Sequence, residues 1–200
     1  LIGSKEGLFH LSQVIVDEGD WVLVPNPGYP VYRASCIIAG ARIFDVPLLA
    51  KNNYLPDFSA IPPDIASQAK ILWLNYPNNP TGAIAPFSFF KDAIEFCRHY
   101  NIILAHDAPY CDICYDDYRA PSILEVPGAK DVAIEFNSLS KTYNMAGWRL
   151  GMAVGNPDII EYLNTYKSQL DTSHFLPIFE AGIKALTGDQ SWLMARNDVY

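Results

Sequence analysis

One lysine, Lys141, stands in the stretch NSLSKTYNMAGWRLG, with Ser138 and Ser140 just before it and Arg149 eight positions on. Two hydroxyls and a guanidinium are donors suited to a dianion, the guanidinium bidentately. An amine near other cations and partly withdrawn from water has a depressed pKa and turns nucleophilic toward a carbonyl. A second anion site opens the chain. Gly3, Ser4 and Lys5 begin a helical pattern, and a helix N-terminus offers free N–H groups and partial positive charge. Tyr29, in PNPGYPVY, offers an aromatic face to a flat ligand. Asn79, in NYPNNPTGA, sits in a turn made rigid by two prolines and a glycine, from which it can point an amide donor. Asp107, in AHDAPYCD, ends an apolar run, where a carboxylate wants a cationic partner. Tyr110, three residues on, is placed to reach the same ligand. His106 reads as a residue that packs or hydrogen-bonds locally. Taken singly, each has a plain structural alternative: a serine cap, a turn tyrosine, a constrained turn, an aspartate cap, a solvated lysine.

To act together these residues must be gathered by strands and loops. The spacing predicts a helix over 4–16, a strand at 21–24, a helix ending at Gly40 as a C-cap and a strand within 41–48. A Pro- and Asn-rich loop over 51–63 follows, then a strand at 70–74 cut off by Pro77. An amphipathic helix over 85–101 leads into the apolar strand of IILAHDAPY. Strands at 131–136 and within LGMAVGNP come next. Asn156 as N-cap and Pro157 at the first helical position open another helix, and from Thr172 the pattern is helical. Strands that are apolar on both faces and alternate with helices imply an α/β fold: a three-layer sandwich with a mostly parallel central sheet flanked by helices. Such sheets bind ligands at the C-terminal ends of their strands. The candidate residues fall just there.

The chain has 200 residues, half of them hydrophobic, enough for a full core. Its formal charge of −8, from 22 acidic and 14 basic residues, argues against a nucleic-acid or anionic-membrane surface. No apolar run approaches the roughly 20 residues of a membrane helix. Four cysteines make no dense disulfide framework, which fits a reducing cytoplasm. Cys111 and Cys114 form a CxxC with no second CxxC or suitably spaced histidine pair, so they read as small residues near a strand end rather than a redox or zinc pair. The chain opens inside a helical pattern and ends in ARNDVY without a stop signal, as a fragment would.

Together the candidates supply donors for a phosphate dianion, an aromatic for a ring face, a carboxylate for a ring cation and an amine for an aldehyde. Pyridoxal 5'-phosphate needs that set. With NNPTG, DAPY and SLSKTYNMAGWRLG in this order, the chain resembles the pyridoxal-phosphate-dependent aminotransferases of fold type I, class I/II, over nearly its whole length. GSKEG, NPGYPVY and KSQLDTSHFLPIFEAGIKAL look like the LL-diaminopimelate and alanine aminotransferase cluster.

The resemblance implies roles. Lys141 is the Schiff-base lysine and proton shuttle, and Asp107 pairs with the pyridinium nitrogen. Asn79 and Tyr110 hydrogen-bond the phenolic oxygen, and Tyr29 stacks on the ring. Ser4, Lys5, Ser138, Ser140 and Arg149 hold the phosphate, while Asn144, Met145 and Gly147 carry the chain from lysine to arginine. The implied reaction is ping-pong transfer of an amino group from an L-amino acid to a 2-oxo acid, in a homodimer. Residues 1–200 correspond to the family's large cofactor domain, incomplete at its N-terminus. The small domain, with the arginine that grips the substrate carboxylate, has no counterpart before residue 200. Two other readings stay open: a C–S lyase or aminocyclopropane carboxylate synthase on the same fold, and an effector-binding domain of a regulator without catalysis.

Overall fold

The computed structural model describes residues 1–199. Six strands form one sheet in the order β2-β1-β3-β4-β5-β6. They are β1 (Trp21–Asn26), β2 (Arg42–Pro47), β3 (Ala69–Asn75), β4 (Ile103–Asp107), β5 (Ala133–Ser138) and β6 (Gly151–Gly155). The first five run parallel, in registers such as Leu72↔Leu104 and Ala105↔Ile134. β6 returns antiparallel to β5, with Phe136 opposite Ala153. A parallel return needs a crossover of about a dozen residues or more, usually helical. Residues 139–150 are instead spent on one short helix and the turn that carries Arg149.

Side chains alternate between two buried layers, as strands covered on both faces require. On one face Leu23, Leu72, Leu74 and Leu104 meet Phe89, Phe90, Ala93 and Ile94 of α4 (Phe87–Tyr100). On the other, Val22, Val24, Ile71, Trp73 and Phe136 meet three helices: α1 (Ser4–Ile15), α2 (Pro30–Ile38) and α6 (Pro157–Ser168). Trp73 and Tyr32 are fully buried and stack at 5.1 Å, so α2 is keyed to the sheet centre by one aromatic pair. The sandwich has the three layers expected of the sequence. No helix among the described residues is long and apolar enough to cross a membrane.

Local signals explain most helix ends. Asn156 accepts from the N–H groups of Asp158 and Ile159 and Pro157 follows it, as the sequence predicts. Gly40, at φ +84°, follows the last residue of α2's cap. Three expectations are corrected. Ser4 is not the cap of α1: Gly3 holds that position and no side chain caps it, so Ser4 lies in the first turn. The helix expected from Thr172 starts at Leu176, as α7 (Leu176–Thr187). Pro177 has no N–H to offer a preceding turn, so the helix cannot extend backward. Within 51–63 the loop holds 3-10 turns at Ala50–Asn52 and Phe58–Ala60, and a one-turn helix α3 (Pro63–Ala66) closes it.

Candidate active site

Strand ends converge at the carboxyl edge of the sheet around a cavity of about 420 Å³. Its lining includes all ten residues singled out by the sequence: Ser4, Lys5, Tyr29, Asn79, Asp107, Tyr110, Ser138, Ser140, Lys141 and Arg149. Asn75, Pro109 and Ala146 complete the wall.

The cationic side of the cavity is assembled from distant parts of the chain. An antiparallel bridge between Ile2 and Leu150 draws the start of α1 against the turn before β6. Ser138 ends β5 and caps the four-residue helix α5 (Leu139–Thr142), its Oγ accepting from the Ser140 N–H at 3.2 Å. Arg149 has φ +55°, a left-handed conformation that costs a non-glycine residue about 1–2 kcal/mol. Its Nη1 donates to the Ala146 carbonyl at 3.0 Å and to Ser140 Oγ at 3.5 Å. A Cβ on Gly3, itself at φ +74°, would overlap the Arg149 guanidinium. The arginine thus lies directly against the uncapped first turn of α1, and cations and N–H groups gather at one end of the cavity.

At the other end lies Asp107, 3% exposed. Burial pushes its carboxyl up to about 6, against the lowering effects of a hydrogen bond from Tyr32 and the charge of His106. Oδ2 accepts from the Tyr32 hydroxyl at 2.7 Å. Oδ1 is buried and has no partner among the described residues. A buried carboxylate oxygen left without a donor is costly, so the site fits a ligand that brings a donor to Oδ1. The cationic partner expected for Asp107 is not a side chain here: the phenol of Tyr32 takes one oxygen and the other has no partner among the described residues.

Two residues of this shell were not read from the sequence. Tyr32 lies in the first turn of α2, three positions after Tyr29, which caps the helix in extended conformation, and their rings meet edge to face at 5.8 Å. That spacing was the available signal. Asn75, buried at the end of β3, donates to the Asp107 carbonyl at 2.8 Å and accepts from the Asn79 N–H at 2.7 Å. Only the strand pairing reveals this link. Asn78 staples the turn further, taking the N–H and hydroxyl of Thr81 on its Oδ1. The Asn79 side-chain amide makes no hydrogen bond among the described residues, and Asn79 lines the cavity.

Lys141 Nζ lies 5.9 Å from the centroid of the Tyr110 ring, and Lys5 Nζ lies 5.3 Å from that of Tyr29. The Tyr110 hydroxyl is raised above its ordinary range by burial, then by the charge of Asp107. Behind the site, His106 meets Glu135 at 3.1 Å and the Tyr76 carbonyl at 3.2 Å, the local bonding expected of it. Burial alone would raise the Glu135 carboxyl. The hydrogen bond and charge of His106, with Asn137 and Ser122, outweigh it and hold the group at about 2. Cys111 is pushed up to about 12 by burial and by Asp112, so its thiol is a poor nucleophile at neutral pH.

Cations and N–H groups at one end, a buried carboxylate oxygen without a partner among the described residues, and an amine surround one cavity at parallel strand ends, an arrangement suited to an anionic ligand that also brings a hydrogen-bond donor. The chain belongs to the class I and II aminotransferase family, whose model matches residues 1–198. That family is pyridoxal-phosphate-dependent. Similar proteins include the LL-diaminopimelate aminotransferases of Moorella thermoacetica, 54% identical over 200 residues, and of Dehalococcoides mccartyi strain 195, also 54% identical. All of this chain aligns with 51% and 52% of their lengths, so it spans about half of the curated relatives it matches. Among solved structures, substrate-bound BacF from Bacillus subtilis superposes with a TM-score of 0.96 at 41% identity, over all of this chain and 51% of that one. A probable N-succinyldiaminopimelate aminotransferase from Thermus thermophilus gives 0.95 at 39%, over all of this chain and 54% of its own.

Proposed function

We propose that this chain is the cofactor-binding large domain of a pyridoxal-phosphate-dependent aminotransferase, and that it moves an amino group from an L-amino acid to a 2-oxo acid. One observation carries the reading: the buried Oδ1 of Asp107 has no partner among the described residues, and Asp107 lines the same cavity as Lys141 and Arg149. Ser4, Lys5, Ser138, Ser140 and Arg149 bind the phosphate. Asp107 would accept from the ring nitrogen and favour its protonated form. Tyr29 would cover a ring face, and Asn79 and Tyr110 would donate to the phenolic oxygen. When bound, pyridoxal phosphate supplies an aldehyde and an electron sink. Lys141 Nζ, the amine near the Tyr110 ring, would be the group that holds the aldehyde and, when free, would serve as the base that moves a proton at the substrate α-carbon. Holding the phosphate at Arg149 and Ser140 would set where the aldehyde lies relative to that amine.

Relatives named LL-diaminopimelate aminotransferase at 50–54% identity support LL-diaminopimelate as the amino partner. The exposed apolar side chains of Phe175, Leu176 and Ile183 support burial of this surface in a homodimer. The small domain is supplied outside residues 1–200, consistent with relatives of about twice this length. A cytoplasmic location fits the free thiols of all four cysteines.

The test uses the full-length protein: its absorbance spectrum, then a panel of amino donors including LL-diaminopimelate with 2-oxo acids. A lysine-bound cofactor band and oxo-acid-dependent amino transfer are expected. Release of pyruvate, or of ammonia without an oxo acid, would instead make it a lyase. In the same protein, Gly3→Ala is expected to weaken pyridoxal phosphate binding about tenfold or more, because the new methyl group displaces Arg149. Equilibrium titration checks this, and unchanged affinity removes Arg149 from the clamp.

A further inference from the structure

α5 is a single turn, too short to satisfy its own terminal carbonyls, which include those of Lys141 and Thr142. Both are taken by one distant side chain. Arg196, on the last helix, α8 (Trp192–Asn197), donates from Nη1 to the Lys141 carbonyl at 3.1 Å and to the Thr142 carbonyl. Its Nη2 donates to the Asp112 carbonyl at 2.8 Å. The neighbouring Asn197 amide adds bonds to the carbonyls of Asp112, at 3.0 Å, and Cys114, at 3.2 Å. A third tie runs from Thr142 Oγ1 to Asp112 Oδ2 at 2.9 Å. Two segments are thereby sewn together: the turn after β4, which carries Tyr110, and the helix that carries Lys141.

The choice of residue bears on what the tie is for. Arg196 is 8% exposed and pairs with no carboxylate among the described residues. Burying an unpaired guanidinium is expensive. Carbonyl dipoles at a helix C-terminus offset part of that cost. A neutral donor would tie the loops at lower cost but would fix fewer carbonyls. The planar fork of arginine holds three of them in one fixed relation.

We propose that Arg196 is a positioning residue for Lys141, holding the lysine's own main chain against the Tyr110 turn so that amine and phenol keep a set separation. The proposal rests on the aminotransferase reading, in which both groups meet the cofactor. The test is made in the full-length protein with Arg196→Met, Arg196→Lys and Asn197→Ala. Arg196→Met is expected to fold and bind cofactor, with kcat reduced roughly 30- to 100-fold and KM for the amino donor changed less than about threefold. The visible circular dichroism of the lysine-bound cofactor changes with it, because the lysine's approach to the ring shifts. Arg196→Lys recovers part of kcat, since one ammonium serves the α5 carbonyls without reaching Asp112. Asn197→Ala costs only a few-fold. A folded Arg196→Met protein with wild-type kcat and wild-type visible dichroism overturns the proposal. If Arg196→Met does not fold, Thr142→Val decides. It removes only the tie to Asp112 Oδ2 and is expected to lower kcat about three- to tenfold at constant KM; wild-type kcat there overturns the proposal as well. A wild-type protein without a lysine-bound band sinks the aminotransferase reading itself. A normal band with an indifferent Arg196→Met sinks only the positioning role.

Discussion

Lys141→Ala in the full-length protein is expected to lower amino transfer on the order of 10^4-fold or more while leaving the fold intact. The two halves of that expectation have separate causes. Catalysis falls because Lys141 supplies the amine beside Tyr110, while the cavity's other amine, Lys5, lies over the Tyr29 ring instead. The fold survives because the side chain is exposed and the contact it loses, with the Tyr110 ring at 5.9 Å, is weak at an exposed site. Changes at such positions alter stability by no more than about 0.5 kcal/mol. Thermal melting and turnover measured on the same sample check this. A variant with lost activity and an unchanged melting midpoint identifies a chemical role. Retained turnover sinks the assignment of Lys141, whatever the spectrum of the wild type.

That exposure also shows what the sequence was able to give. By solvent contact alone Lys141 looks like any surface lysine. The motif around it, and its place just after an apolar run, distinguished it. Strand ends were legible because β3 and β4 are apolar on both faces, a pattern only a covered parallel strand satisfies. The helix of Pro157 was legible because its cap is local chemistry. What escaped depends on partners distant in sequence. Asn75 looks like the end of a strand until β4 is laid beside it. Tyr32 looks like one more apolar position of α2 until Asp107, 75 residues away, meets its hydroxyl. Arg196 looks like a surface charge in a terminal helix until it is seen to hold the lysine's carbonyl from 55 residues away. The direction of β6 escaped as well. A short apolar run carries no sign of whether it pairs parallel or antiparallel, and the length of the connection had to decide.

The cost of preparing the site falls on Asp107, and it is measurable. Asp107→Asn in the cofactor-free, full-length protein is expected to raise stability by about 3 kcal/mol at pH 7, the equivalent of moving a carboxyl from its ordinary 3.8 to about 6. The sign follows from which state binds the proton. Below about pH 4 the carboxyl is protonated in both folded and unfolded chains, and nothing is lost. Between about pH 4 and 6 the unfolded chain releases its proton and the folded one keeps it, so folding stability falls as pH rises. Above about pH 6 the folded protein carries a buried carboxylate with one oxygen unpaired, and the full cost is present. Asparagine carries no charge, so the difference between variant and wild type should open across this window and stay constant above it. Its carbonyl still accepts from Tyr32. The same substitution is expected to reduce amino transfer about 10^3-fold, because a neutral amide cannot favour a protonated ring nitrogen. Bound cofactor should reverse the order of stabilities, since a cationic donor at Oδ1 turns the unpaired charge into a paired one. Melting curves from pH 4 to 8, with and without cofactor, test all of this. Parallel curves for the two cofactor-free proteins across that range would show that Asp107 is not held out of its ordinary ionisation by burial. The carboxylate could then not be the group that the cavity keeps ready for a cation.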